Sequence, residues 1–310
     1  MLAGCDPDGF ERSSEVSRLR TLAIGFEPPE FGPGDVLHVR SLTVRPPEAT
    51  TGGDTEGIEW TWELCLFAQG PDERFQCATI DGEVAGFEVS REPEFSIPWS
   101  ALEGVVGNVE SLCEALTGIE VPRFVQLPDC SRGLPVTLRL TVRDGETEQV
   151  SRRQLLLLRD EDAARPDRNR NPQILGLLAG GSLQVGDDRG VLRLREPGGS
   201  RFQLLVDLED AERWQPPDPD VEDGRLPERR EVLNATWFSS RGLFEFETTW
   251  WAEGITSDLE LSTNRLRLRA GRNPAEVGDE VQIWVVLRDD RGGTDWRTWR
   301  FVVGEGSMQD

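Results

Sequence analysis

The chain has 310 residues, enough for two domains of ordinary size. Its formal net charge of −23, from 57 acidic against 34 basic residues, argues against nucleic acid and against an anionic membrane surface as direct partners. The same balance favours solubility and leaves carboxylates available for divalent cations. Apart from His38 the basic residues are all Arg, Tyr is absent, and Trp numbers 10. No apolar run approaches the length of a membrane span.

Leu2-Ala3-Gly4-Cys5 resembles the lipobox of bacterial lipoproteins, in which the Cys becomes the lipidated first residue of the mature chain. The charged and apolar regions that precede such a box are not part of this sequence. The resemblance implies export and a membrane contact made through a lipid on Cys5. The polar residues after it read as a tether, so residues 1–19 are set apart from the body. Five cysteines is an odd number. Setting Cys5 aside leaves Cys65, Cys77, Cys113 and Cys130, two sequence-local pairs that an exported protein would oxidise. Loops of this length are worth roughly 3 kcal/mol each in the chain-entropy model. A zinc site is the rival, but there is no CxxC knuckle and His38 is the single His.

The body reads as strands. Residues 21–26 and 36–44 are apolar runs separated by Pro28-Pro29 and Gly32-Pro33-Gly34-Asp35. In the next strand Ile58, Trp60, Trp62, Leu64 and Leu66 share one face, while Glu59, Thr61, Glu63 and Cys65 share the other. Cys65 therefore points away from the Trp face, and its bridge clips an outer loop. Residues 101–117 break the pattern with a 3.6-residue period, predicting a short helix near 109–116, capped by Asn108 and stapled by Cys113. Then Val136, Leu138, Leu140 and Val142 alternate, Asp144-Gly145 turns, and a second apolar run closes a hairpin.

The charged stretch 161–172 is the expected linker between module one (20–160) and module two (173–304), with 305–310 as a tail. The second module echoes the first. Residues 174–178 parallel 21–26, residues 202–208 parallel 36–44, and residues 233–238 parallel the Trp60–Trp62 strand. The hairpin of Val281, Ile283, Val285 and Leu287, turning at Asp289-Asp290-Arg291-Gly292-Gly293, parallels the hairpin that begins at Val136. Two insertions decorate it: an acidic loop at 215–230 carrying Asp218, Asp220, Glu222 and Asp223, and a further strand at 243–251. The fold class expected is all-β, two tandem immunoglobulin-like β-sandwiches, the first with a short inserted helix.

At Asp207-Leu208-Glu209-Asp210, Trp237 and the turn from Asp289 to Asp295, the modules resemble bacterial immunoglobulin-fold repeats of the PKD and cadherin-like kind. In the first module Trp60 or Trp62 and Asp144-Gly145 match; the Gly-Asp-Gly turn of PKD repeats is absent from both. The resemblance implies surface display and contacts with proteins or glycans. It also implies Ca²⁺ between acidic loops, with Asp207, Glu209, Asp210, Asp289, Asp290 and Asp295 as the candidate ligands. Turn chemistry accounts for the same residues.

No P-loop or dinucleotide fingerprint is present, and His38 lies inside a predicted strand, far from any Gly-x-Ser-x-Gly elbow. The reading is a non-enzymatic, exported, lipid-anchored envelope protein that scaffolds or binds other envelope or surface proteins. The alternative is a carbohydrate-binding module with Trp250, Trp251 and Trp296 as a sugar platform.

Overall fold

The computed structural model describes residues 14–46, 57–66, 68, 75–77, 79–80, 83–117, 130, 132–184, 189–193, 199–216 and 226–305. Cys5 and the Asp218–Asp223 acidic cluster lie outside the described residues.

The first module contains β1 (Arg20–Glu27), β2 (Glu30–Phe31), β3 (Val36–Val44), β4 (Ile58–Cys65), β5 (Thr79–Ile80), β6 (Glu83–Val84), β7 (Gly86–Ser90) and β8 (Glu94–Pro98). Helices α1 (Trp99–Val106) and α2 (Val109–Thr117) follow, then β9 (Leu134–Asp144) and β10 (Thr147–Leu157). One sheet has the order β1-β3-β8, the other β2-β10-β9-β4-β7. The chain crosses between sheets at Pro28-Pro29, after a cis Glu27-Pro28 bond, so that β1 pairs antiparallel with β3 and β2 pairs parallel with β10. The alternation seen in β4 and β9 buries Trp62, Leu64, Val136, Leu138, Leu140 and Val142 between the sheets. The Trp62 ring meets Phe95 edge-on at 5.5 Å, and its Nε1 donates to the Glu92 carbonyl at 2.8 Å.

The second module contains β11 (Ile174–Ala179), β12 (Ser182–Gln184), β13 (Arg189–Arg193), β14 (Ser200–Val206), β15 (Arg213–Trp214), β16 (Arg229–Arg230), β17 (Leu233–Ser239), β18 (Leu243–Phe244) and β19 (Thr248–Trp251). After these come a one-turn helix (Asp258–Ser262), β20 (Thr263–Arg267), β21 (Glu280–Arg288) and β22 (Thr294–Gly304). Its sheets are β12-β11-β14-β20-β18 and β13-β22-β21-β17-β19, with β13 parallel to β22. The two modules share one plan. The first strand segment pairs with the second long strand in one sheet, and a short later segment joins the last strand in parallel in the other. The closing hairpin then lies beside the Trp strand (β4, β17). That plan is the immunoglobulin-like β-sandwich, and the chain is all-β on it.

Three expectations need correction. The single helix expected at 109–116 is a pair. The chain breaks at Gly107, whose φ is +78°, and Asn108 then caps α2 by accepting from the Ser111 amide at 3.0 Å. Helix α1 forms in spite of Gly104 because Trp99, Leu102 and Val106 are buried in the core, while Gly104 faces open space. The insertion at 243–251 is two short strands in opposite sheets rather than one strand, because the chain crosses the sandwich at Glu245–Glu247. Residues 14–19 are not a free tether: Ser14, Glu15, Val16 and Leu19 are all buried.

Candidate functional site

The hairpin turn between β21 and β22 looks like ordinary turn chemistry in the sequence, and half of it is. The Asp289 carboxylate accepts from the Arg291 amide at 2.8 Å and the Gly293 amide at 2.7 Å, closing the loop, and Gly292 sits at φ +106°. The other half is the Arg291 side chain. The closed loop aims it back across the boundary between the modules, where it is 1% exposed.

There the guanidinium meets three carboxylates: Glu30 at 3.1 Å, Glu231 at 3.2 Å and Glu212 at 3.5 Å. Glu30 belongs to β2 of the first module and is also held by Arg132 at 2.9 Å and by the Asn169 amide at 3.0 Å. Asn169 Nδ2 reaches Asp289, and Arg170 pairs with Glu212. Trp214 lies among three guanidiniums, those of Arg132, Arg291 and Arg229, at 5.1, 5.4 and 5.6 Å from its ring centre. Three carboxylates thus share one fully buried cation, with the Asp289 carboxylate close by on Asn169 and the loop amides. Burial, with the nearby Asp289 charge, pushes the Glu231 carboxyl up to about 8, and burial raises Asp289 as well.

The apolar part of the seam lies along the outer face of β17 and β21. Phe238, Trp284 and Val286 pack against Leu22, Ala23 and Val44 of the first module and against Val16. The Arg40 guanidinium lies over the Trp296 ring, 4.1 Å from its centre, and Arg40 also reaches Asp295 at 3.3 Å. Gly25 makes this approach possible, since a Cβ there would stand 2.7 Å from the Trp296 ring. Arg288 donates to the Leu22 carbonyl at 2.9 Å, and burial lowers its pKa to about 10. Residues 14–16 complete the seam. They run parallel to β17, with Val16 N donating to the Ser239 carbonyl and Ser239 N to the Ser14 carbonyl. The buried Glu15 carboxylate accepts the amides of Arg272 and Asn273 at 3.1 and 2.7 Å.

The stretch 161–172, read as a linker, is stitched into both modules. Arg168 bonds the Glu30 carbonyl and pairs with Asp35; Asn171 bonds the Phe26 carbonyl and accepts from the Thr294 amide at 2.7 Å.

The residues singled out by sequence fall as follows. Cys65–Cys77 and Cys113–Cys130 are disulfides, with Cα separations of 5.0 and 5.9 Å. The first clips the loop after β4, and the second ties α2 to the approach to β9, as the spacing predicts. The six acids proposed for Ca²⁺ are each engaged within the chain. Asp207 caps a 3-10 turn through the Glu209 amide, Glu209 faces Arg230, and Asp210 accepts from the Gln173 amide. Asp289 closes its own loop, Asp290 holds Arg229, and Asp295 takes the Ile174 amide and Arg40. Among the described residues, no group of three or more His, Cys, Asp or Glu side chains is arranged to hold a metal ion. The three tryptophans do not form one platform: Trp250 is exposed, Trp251 points the opposite way into the core, and Trp296 is in the seam. His38 lies on the face of β3, bonded to Ser96 Oγ at 2.7 Å.

No family model matches the chain, and no curated protein matches it. Among solved structures it is similar to Escherichia coli alpha-2-macroglobulin activated by porcine elastase, at 11% identity and TM-score 0.21, over 94% of this chain and 22% of that one. It is similar to a chimeric titin Z1Z2 tandem at 10% identity and TM-score 0.22, over 92% and 98% of the two chains. It is similar also to murine CEACAM1b at 11% identity and TM-score 0.20, over 92% and 99%. The present chain spans 22% of the length of the alpha-2-macroglobulin. The class of the protein is fixed by its own strand order: a tandem of two immunoglobulin-like sandwiches.

Proposed function

We propose that the protein is a non-enzymatic binding scaffold of the bacterial cell envelope, which presents two immunoglobulin-like modules at one fixed angle to other envelope or surface proteins. The observation that carries this reading is the joint. A flexible tandem needs no buried ion network between its modules, and burying charge is costly unless every partner is placed. A chain that meets this cost, and adds an apolar seam and a stitched connector, is organised to hold a geometry. Export and anchoring through a lipid on Cys5 are part of the proposal, supported by the lipobox-like Leu2-Ala3-Gly4-Cys5 and by the two disulfides. A recess between α1–α2 and Leu158–Asp160, lined by Trp99, Glu103, Asn108 and Arg159, is far smaller than an ordinary ligand cleft.

The test is intact mass and cross-linking on protein taken from its native cells. An acylated chain beginning at Cys5, gaining four protons on reduction and cross-linked reproducibly to the same envelope proteins, is the expected result. An unmodified chain with free thiols removes the envelope assignment, and a chain with no reproducible neighbour removes the scaffold.

A further inference from the structure

The joint uses one sheet of the second module and leaves the other free. The outer face of β12-β11-β14-β20-β18 is open to solvent, with Leu175 and Leu183 each 53% exposed. The register places Leu183 beside Leu178, Leu178 beside Gln203, and Gln203 beside Thr263 in one row. In the next row Arg201 stands directly opposite Arg265. Both are exposed, and no side chain among the described residues pairs with either. Arg267, two residues on, has Glu245 at 3.9 Å.

Like charges directly opposite on an antiparallel pair are destabilising. Elsewhere the chain compensates such a pair: in the second module Arg213 stands opposite Arg230 and both reach Glu253, and in the first module Arg139 stands opposite Arg152. There Glu63 faces and pairs with Arg139, Glu59 faces Arg143, and Arg152 lies over the Phe75 ring. In a chain of net charge −23 an acid opposite Arg201 would be easy to supply.

We propose that this face is a docking surface for a segment of another protein in which carboxylates sit among apolar side chains. The carboxylates are bound by Arg201 and Arg265, and the apolar groups cover Leu175, Leu178 and Leu183. The proposal rests on the protein-binding reading and assigns it a place. Charge decides between partners. An anionic bilayer or a second copy is repelled by the whole −23 charge as well as attracted locally. A short segment sees mainly what lies within a Debye length, about 8 Å at physiological salt.

The experiment uses the full chain and a fluorescein-labelled peptide of alternating Glu and Leu, read by anisotropy, with a Lys and Leu peptide as control. Saturable binding of the acidic peptide alone is expected, weakening as salt rises. The double variant Arg201→Glu/Arg265→Glu is expected to lose at least tenfold in affinity, and Leu183→Ser several-fold. Arg143→Glu, on the first module, is expected to leave binding unchanged. The single variant Arg265→Glu should raise Tm by roughly 1–3 °C while weakening binding, a combination that a purely structural role does not give. The assignment is overturned by undiminished binding in the double variant or by failure of the wild type to bind the acidic peptide. Binding to phosphatidylserine vesicles in place of the peptide overturns it too, as does self-association abolished by the same substitutions. If native cross-links survive in the double variant, the face is wrong and the scaffold reading stands. If the wild type has no cross-links either, the scaffold reading itself fails.

Discussion

Arg291, at the tip of the last hairpin, lies 3.1 Å from Glu30 near the start of the first module, and each side chain is 1% exposed. The contact joins residues 261 positions apart and is the centre of the joint. Removing one partner of a buried ion pair leaves the other charge buried and uncompensated, at a cost of about 3–5 kcal/mol. Arg291→Ala is therefore expected to lower the unfolding free energy from urea titration by that amount. Arg291→Met/Glu30→Gln/Glu231→Gln should recover most of the loss. If the single and triple variants unfold alike, the network does not carry the joint.

The same crowding predicts a pH dependence of definite sign. The Glu231 carboxyl has its pKa raised from 4.5 to about 8, first by burial and then by the Asp289 charge. Below about pH 4.5 the folded and unfolded states both hold the proton. Between that value and about 8 the unfolded chain has lost it while the folded chain keeps it, so the contribution of this group to stability falls as pH rises. Glu231→Gln mimics the protonated form. Its stability should match wild type near pH 4 and exceed it progressively up to pH 8–9, with the difference level above that. Asp289 shifts in the same direction and is present in both proteins, so it enters the difference only through its coupling to Glu231. Thermal melts at half-unit pH steps decide it, and a difference independent of pH would refute the assignment.

Much of the fold was legible because a half-buried strand writes its period into the sequence. The alternations beginning at Ile58, Val136 and Val281 became β4, β9 and β21, the last two in equivalent places, and the cysteine spacing matches both bridges. The joint was not legible. Glu30, Glu212 and Glu231 are three of 57 acids, and nothing local distinguishes a carboxylate that will meet a distant guanidinium from one that will face water. One clue was available. Trp284 and Val286 fill the polar phase of the β21 alternation, so both faces of that strand are apolar, as a strand buried on both sides requires. Residues 14–19 were misread for the opposite reason, because the Glu15 side chain is polar and its partners are backbone amides of the second module, while Ser14 is held there through its own carbonyl.

Glu15 gives a sharper test of that segment. Its carboxylate takes two amides in the turn after Gly271, whose φ is +91°. Glu15→Ala strands both donors and is expected to cost about 1–3 kcal/mol. Hydrogen exchange should quicken at the Arg272, Asn273 and Ser239 amides before any change in the core strands. Unchanged protection at those three amides would mean that residues 14–16 do not hold the second module in solution.

Trp284 separates the stability of the modules from that of their joint. It lies outside the core of its own sandwich and is buried by Val16, Leu22, Ala23 and Val44. Truncating a buried Trp costs about 3–5 kcal/mol wherever it sits, but here the loss falls on the contact between modules. Trp284→Ser should leave both sandwiches folded and their disulfides formed. Small-angle scattering should show a larger maximum dimension, and limited proteolysis should cut within 159–172, where the connector has lost one of its walls. Unfolding should then resolve into two transitions in place of one. A variant that loses the second sandwich altogether, with a single lower melting point and no change in dimension while folded, would show that the seam is part of one cooperative core. The angle between the modules would then be a consequence of folding and not a separate device.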